Sequence, residues 1–213
     1  MLRCLLLLTF SALFQYYLIY KPFGMLSQFS REGDHQTLAD LDFTFAKDIY
    51  PVGRLDADSE GLLLLTNDNF LKTKLLEPRN RHTRTYYVQV EGEATDEACR
   101  QLSAGVNISI NGKQYRTLPA QIAKIDEPEL PERNPPIRFR KNIPTSWLAV
   151  TLHEGKNRQV RRMTAAVGFP TLRLVRWAIG KISLARKENN FPNPGDVWEV
   201  TPKEAKLFYE RTF

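Results

Sequence analysis

The chain has 213 residues, 42% of them hydrophobic and 25% charged, with a formal net charge of +6. This length and composition are typical of a globular protein with a full hydrophobic core, and they argue against intrinsic disorder. The two cysteines and three histidines are isolated in the sequence, which indicates neither a zinc site nor a disulfide framework. A reducing, cytoplasmic compartment fits this cysteine usage.

The N-terminal segment is apolar and carries no charge over residues 4–20. It resembles a short signal-peptide region or a marginal membrane span, but polar residues interrupt it and no clear cleavage site follows. We therefore assign no structure to residues 1–15. The pattern of residues 16–20 favours a buried strand that ends before Lys21, and a short helix is predicted around residues 37–41.

Three acidic residues, Asp56, Asp58 and Glu60, precede an apolar run of leucines. A calcium-binding loop is excluded because its closing glutamate is replaced by asparagine. Strand alternation would place the three carboxylates on one side, where they could bind Mg²⁺ for phosphotransfer or nuclease chemistry. We favour a solvated acidic turn for Asp58 and Glu60. Asp56 differs because it lies between Arg54 and the leucines, and a nearby cation keeps a carboxylate charged and oriented, as a nucleophile or base requires.

Periodicity and capping residues predict the elements that follow. In one strand Tyr86 points inward, on the same side as Val88 and Val90. Helices and strands are mixed without a regular βαβ alternation, which predicts an α+β fold on a mixed, largely antiparallel sheet with flanking helices. The predicted strands are 61–66, 85–91, 147–153, 172–179 and 197–200. The predicted helices, with their caps, are 67–76 or 68–76, with Asn67 or Asp68 as the cap, then 95–102, 157–167 and 202–209.

Five prolines between residues 123 and 145 exclude regular structure there and predict a long ordered arm. The segment 131–162 carries the chain's whole excess of positive charge, and such a local field attracts a polyanion, so nucleic acid is the predicted partner. On the helix that Asn157 is predicted to cap, three arginines share a solvent-facing side. The basic residues of the segment are Arg133, Arg138, Arg140, Lys141, Lys156, Arg158, Arg161 and Arg162, against Glu132 and Glu154.

Five motifs together resemble the pseudouridine synthases of the branch that modifies ribosomal RNA. The resemblance implies that residues 16–213 form the catalytic domain of that family, in two subdomains. Many members carry a small basic domain of the S4 type in front, but fewer than 20 residues precede Lys21 here, too few for it. Two further stretches, 134–138 and 143–148, resemble the subgroup that acts on the large ribosomal subunit. The five motifs are 17–24, 53–68, 84–90, 154–163 and 168–176.

The resemblance implies isomerisation of one uridine in 23S ribosomal RNA, without a cofactor or metal. The bond between C1′ and N1 breaks, the uracil rotates, and a bond between C1′ and C5 forms. Asp56 matches the catalytic aspartate, which attacks C1′ or removes a ribose proton, and Tyr86 matches the tyrosine that stacks on the base. Lys156 matches the basic position that pairs with the aspartate, with Arg158 as the alternative, and Arg54 resembles the arginine that helps to displace the base.

A uridine inside an RNA stem is unreachable, so its nucleotide has to be extruded into a pocket at a cost of a few kcal/mol. We expect a monomer without a membrane segment. The basic segment alone also fits a non-catalytic RNA-binding module that assists ribosome assembly, and this alternative stays open. The predicted RNA-binding residues are Arg54, Arg84, Arg158, Arg161 and Arg162.

Overall fold

A computed structural model describes residues 14–137, 143–185 and 191–210. Nine of the described strands form one mixed sheet, in the order β11-β1-β3-β9-β4-β8-β7, with β2 paired to β3 and β10 to β9. The pairings are antiparallel except for β3 with β9, which agrees with the predicted α+β class. The strands are β1 (Tyr16–Lys21), β2 (Tyr50–Pro51), β3 (Glu60–Thr66), β4 (Arg84–Glu91), β5 (Asn107–Ile110), β6 (Lys113–Arg116), β7 (Gln121–Ile125), β8 (Thr145–Leu152), β9 (Thr171–Ile179), β10 (Ile182–Ser183) and β11 (Val197–Glu199).

Four α-helices flank the sheet within the described residues, and short 3₁₀ turns lie at Leu38–Asp40 and Pro78–Asn80. Of the two caps predicted for the first helix, Asn67 and Asp68, the structure has Asp68, and the predicted cap at Thr95 is confirmed. Each of these side chains accepts a backbone N–H of the first turn. No helix in these parts of the chain is long and apolar enough to cross a membrane. The α-helices are α1 (Asn69–Leu76), α2 (Asp96–Ala104), α3 (Gln159–Ala166) and α4 (Pro202–Leu207).

Strand β3 is buried at all seven positions, because both faces of the sheet are covered at this point. Leu62 and Leu64 belong to one core cluster, and Leu63 and Leu65 belong to another on the opposite face. Gly61 packs so closely on β9 that a Cβ atom would lie 2.4 Å from the carbonyl oxygen of Arg176. This contact joins β3, which follows the Asp56 loop, to the strand that carries two buried arginines.

Two local predictions were wrong. Residues 123–125 belong to β7, which pairs with β8 as an edge strand, so the proline-rich arm begins only after Ile125. Asn157 does not cap α3; the N-cap is Arg158, whose backbone is left-handed at φ 50°. Both errors come from contacts with other elements of the fold, which the local sequence pattern does not show. The predictions for residues 1–13 and for Arg138, Arg140 and Lys141 fall outside the described residues.

Candidate active site

A cleft of about 920 Å³ opens where the loop before β3, the start of β4 and the loop before α3 meet. A volume of this size is within the range of known ligand pockets. Arg161 and Arg162 are not among the residues that line it. The predicted site residues that do line it are Arg54, Asp56, Arg84, Tyr86, Lys156 and Arg158.

The loop of Asp56 is fixed by backbone hydrogen bonds. The Gly24 N–H donates to the Ala57 carbonyl at 2.7 Å, and the Ser59 N–H donates to the Asp56 carbonyl at 3.0 Å. The Asp56 side chain is 38% exposed, and its Oδ2 lies 3.8 Å from Nη1 of Arg158. Asp56 is thus exposed to the cleft and lies near a guanidinium. The sequence alone did not show whether this carboxylate is accessible or buried behind the leucines.

Asp58 takes the closer contacts of the same arginine. Arg158 donates two hydrogen bonds to its carboxylate, at 2.9 and 2.8 Å. Arg161 donates to the Asp58 carbonyl at 2.6 Å, and its Nε lies 3.4 Å from the carboxylate. Burial would raise the pKa of Asp58, but the hydrogen bonds from Arg158 and the charge of Arg161 lower it below its usual value. Asp58 lies in the predicted turn with a side chain that is 34% exposed, and the two arginines that bind it were not predicted.

Arg161 also departs from its predicted orientation. Its side chain is only 13% exposed, whereas Arg158 is 41% exposed on the same helix terminus. The expected solvent-facing row of three arginines is therefore wrong for Arg161, which turns inward to the Asp58 loop. Arg162 donates to the Asn157 carbonyl and to the Ser109 carbonyl of β5.

Glu60 is buried, with a side chain only 2% exposed, so the predicted solvated turn is wrong for this residue. Arg173 donates two hydrogen bonds to its carboxylate at 2.9 and 2.8 Å and a third to the Pro131 carbonyl at 2.8 Å. Glu60 is thus bound by Arg173, and Asp58 is bound by Arg158 and Arg161, whereas Asp56 has only the longer contact of 3.8 Å with Arg158. In the described parts of the chain, no three His, Cys, Asp or Glu side chains lie close enough to bind one metal ion.

Tyr86 lies half-buried on β4, where it packs against the core cluster beneath α3 and lines the cleft. Its inward orientation, predicted from alternation, is confirmed. Its partner across the ladder is Arg176 of β9, which is buried and donates from Nε to the Leu62 carbonyl at 2.6 Å. Burial lowers the pKa of Arg176, while Tyr86 acts in the opposite direction. The tyrosine thus stands over a buried cation at the floor of the cleft.

The remaining cations of the cleft have weaker anchors. Lys156 is exposed, with its ammonium 4.9 Å from the centroid of the Tyr115 ring. Arg84 donates to the Leu75 carbonyl at 2.9 Å, and Arg54 is exposed. Between the two cations predicted to pair with Asp56, the structure places Arg158 beside it.

Two charged residues near the site were not predicted from the sequence. Lys21 is fully buried and donates from Nζ to the Pro22 carbonyl at 2.7 Å and to the Ala57 carbonyl at 3.4 Å. Burial lowers its pKa to about 7. Glu154 is also buried, at the end of β8, and accepts three hydrogen bonds. In the sequence, both could have been noticed as charged residues at the end of an apolar strand, Lys21 in β1 and Glu154 just after β8.

Comparisons with known proteins place this arrangement in context. A family model described as RNA pseudouridylate synthase matches residues 15–166. A ribosomal large subunit pseudouridine synthase E of Vibrio parahaemolyticus is 52% identical over 164 residues, which are 77% of this chain and 66% of that relative, just under two thirds of its length. A protein of the same name from Xanthomonas campestris is 48% identical over 189 residues, 88% of this chain and 96% of the relative.

A solved structure titled as a pseudouridylate synthase has the same fold, with a TM-score of 0.74 and 25% sequence identity. The match covers 92% of this chain and 74% of that structure. The predicted fold is therefore confirmed, and the relatives' names agree with the subgroup indicated by residues 134–138 and 143–148.

Proposed function

This chain belongs to the RNA pseudouridylate synthase family, and from that premise we propose that it isomerises a uridine of 23S ribosomal RNA through Asp56. The observation that supports Asp56 most directly is its exposure to the cleft beside Arg158. The other two acidic residues of the motif are bound by arginines, so Asp56 is the carboxylate of the three left facing substrate.

In the proposed reaction one bond breaks and one forms. The bond between C1′ and N1 of the extruded uridine is cleaved, the uracil turns, and C5 bonds to C1′. The proton on C5 is released to solvent and N1 takes up a proton, so the atoms balance without an oxidant or reductant. Asp56 either forms a temporary bond to C1′ or removes a ribose proton, and both routes require it within reach of the sugar.

The surrounding residues have proposed roles that follow from their places. Tyr86 stacks on the extruded base from the floor of the cleft. Arg54, exposed at the mouth, helps to displace the base from its stem and contacts phosphates. Arg158 orients Asp56 and limits its repulsion from the RNA backbone, and Lys156, which also lines the cleft, contacts the backbone. The RNA contacts predicted for Arg84, Arg161 and Arg162 stay predictions, as do the domain limits and the monomeric state.

The decisive experiment replaces Asp56 by asparagine, which keeps the size of the side chain and removes its charge. Release of tritium from C5-labelled uridine in a 23S rRNA transcript should fall by about 10²- to 10⁴-fold. Asp126→Asn, a change at an exposed aspartate of the proline-rich arm, should leave the rate unchanged.

Full activity of Asp56→Asn would refute the assignment of Asp56. Salt-dependent RNA binding by the wild-type chain with no pseudouridine formed would instead support the non-catalytic assembly module. Chemical mapping of the transcript after the reaction would locate the modified uridine.

A further inference from the structure

The β5–β6 hairpin is a separate two-stranded unit that lies beside the cleft. We propose that this hairpin binds the sugar–phosphate backbone of the RNA nucleotides next to the uridine in the cleft. The inference rests on the proposed function, because it takes the cleft as the uridine site. It adds a binding surface that lies outside the motifs of the sequence resemblance.

The position of the hairpin follows from the residues at its end. Tyr115 of β6 and Leu118, just beyond it, line the cleft. The ammonium of Lys156, in the loop before α3, lies 4.9 Å from the centroid of the Tyr115 ring. A nucleotide that leaves the cleft on this side therefore meets the hairpin directly.

The charge of the hairpin favours a polyanion. Residues 105–118 include Lys113 and Arg116 and contain no acidic residue, and both cations are exposed. Neither forms an ion pair with a carboxylate of the described residues, and Arg116 has one long hydrogen bond, of 3.4 Å, to the Ala104 carbonyl. Cations on the neighbouring helix and edge strand are neutralised, since Arg100 pairs with Glu97 and Lys124 with Asp96 at 2.8 Å each.

The hairpin is held rigidly enough to present these cations at a fixed place. Ile108 is buried in the core beneath α3. The Tyr115 hydroxyl donates to Glu154 at 2.6 Å, and the same carboxylate accepts the side-chain amide of Gln159 at 2.7 Å. Arg162 of α3 adds a hydrogen bond to the Ser109 carbonyl. One buried carboxylate thus joins the hairpin to the first residue of α3, just after the loop of Lys156 and Arg158.

The size of the hairpin matches a short stretch of RNA. Each strand has four residues, a length of about 13 Å at about 3.3 Å per residue. A stacked strand advances about 3.4 Å per nucleotide, so the hairpin covers about four nucleotides. Two phosphate contacts over that length are consistent with its two exposed cations.

The test compares two double variants that each remove two exposed cations. Lys113→Ala with Arg116→Ala changes the hairpin; Lys203→Ala with Lys206→Ala changes α4, which follows the strand at the far end of the sheet. Binding to an unmodified 23S rRNA transcript is measured over a series of KCl concentrations, together with KM and kcat for tritium release. The hairpin variant should bind about tenfold more weakly, with a salt slope reduced by about 1.4.

For the hairpin variant kcat should stay within about twofold of wild type, because neither residue touches the reacting atoms. Wild-type affinity and slope in the hairpin variant, or an equal loss in the α4 variant, would overturn the inference. A lack of pseudouridine in the wild-type reaction would reject the proposed function alone, and the binding data would still decide whether the hairpin contacts RNA.

Discussion

Two acidic residues of one short motif pair with arginines from distant parts of the chain, and the two pairs have opposite surroundings. Glu60 and Arg173 are 2% and 7% exposed and joined by two hydrogen bonds. Asp56 and Arg158 are 38% and 41% exposed and lie 3.8 Å apart. The buried pair therefore links two strands inside the protein, whereas the carboxylate of the exposed pair is accessible from the cleft. The difference in burial accounts for these two roles.

The energetics of the two pairs differ for the same reason. A buried ion cannot be left without its partner, because water does not replace the lost contact. An exposed ion regains water when its partner is removed, so the pair contributes little to stability. We expect the buried pair to control folding and the exposed pair to control the reaction.

Replacing Glu60 by glutamine should give the largest loss of stability, about 3–5 kcal/mol, because Arg173 would keep a buried charge with no counter-ion. Asp56→Asn should change stability by no more than about 0.5 kcal/mol. Urea unfolding followed by circular dichroism measures both. The double variant Glu60→Leu with Arg173→Met should recover much of the loss, and equal stability of the two single variants would refute the comparison.

Replacing Arg158 by alanine tests the exposed pair. We expect kcat to fall about 10²-fold, because Asp56 loses the group that orients it. The free energy of unfolding should change by less than about 1 kcal/mol. Single-turnover tritium release separates this loss from RNA binding. Arg100→Ala, an exposed helix arginine paired with Glu97, is the matched control, and an undiminished rate in the Arg158 variant would assign the orienting role elsewhere.

A third carboxylate, Glu154, sharpens the comparison because it is buried without an ion-paired cation among the described residues. Its two carboxylate oxygens accept hydrogen bonds from the Tyr115 hydroxyl, the Leu118 backbone N–H and the Gln159 side-chain amide. Glu154→Gln should cost about 1–3 kcal/mol, since one oxygen becomes a donor that faces other donors. Thermal unfolding beside the exposed control Glu127→Gln measures it, and a neutral result would mean that the network rearranges freely.

The last prediction concerns Lys21, which is fully buried and donates to the Ala57 carbonyl beside Asp56. Burial lowers its folded pKa to about 7, against about 10.4 in an unfolded chain. Between these values the unfolded chain binds more protons, so stability should rise with pH, by up to about 1.4 kcal/mol per unit. Unfolding measured from pH 7.5 to 9 should show this slope in wild type and lose it in Lys21→Met; the same slope in both would exclude Lys21 as its source.

Much of the local structure was predictable from the sequence. The strand of leucines was predicted at 61–66 and runs from Glu60 to Thr66. The cap of α2 was identified correctly, and the cap of α1 is one of the two residues predicted for it. The motifs also indicated the family, which the comparisons support. These features depend on neighbours in the chain, on alternation, on capping and on motif spacing, which a sequence displays directly.

Only the tertiary structure decided which charges are buried. Glu60 meets an arginine 113 residues away, Arg161 turns from the helix surface to a loop 103 residues away, and the left-handed backbone of Arg158 begins α3 where an asparagine cap was expected. Periodicity describes one element at a time, whereas the partner of a buried charge belongs to another element. The sequence therefore determined the elements and the family. The pairing of β3 with β9 and the arginine contacts to the loop before β3 determined which acidic residue faces the cleft.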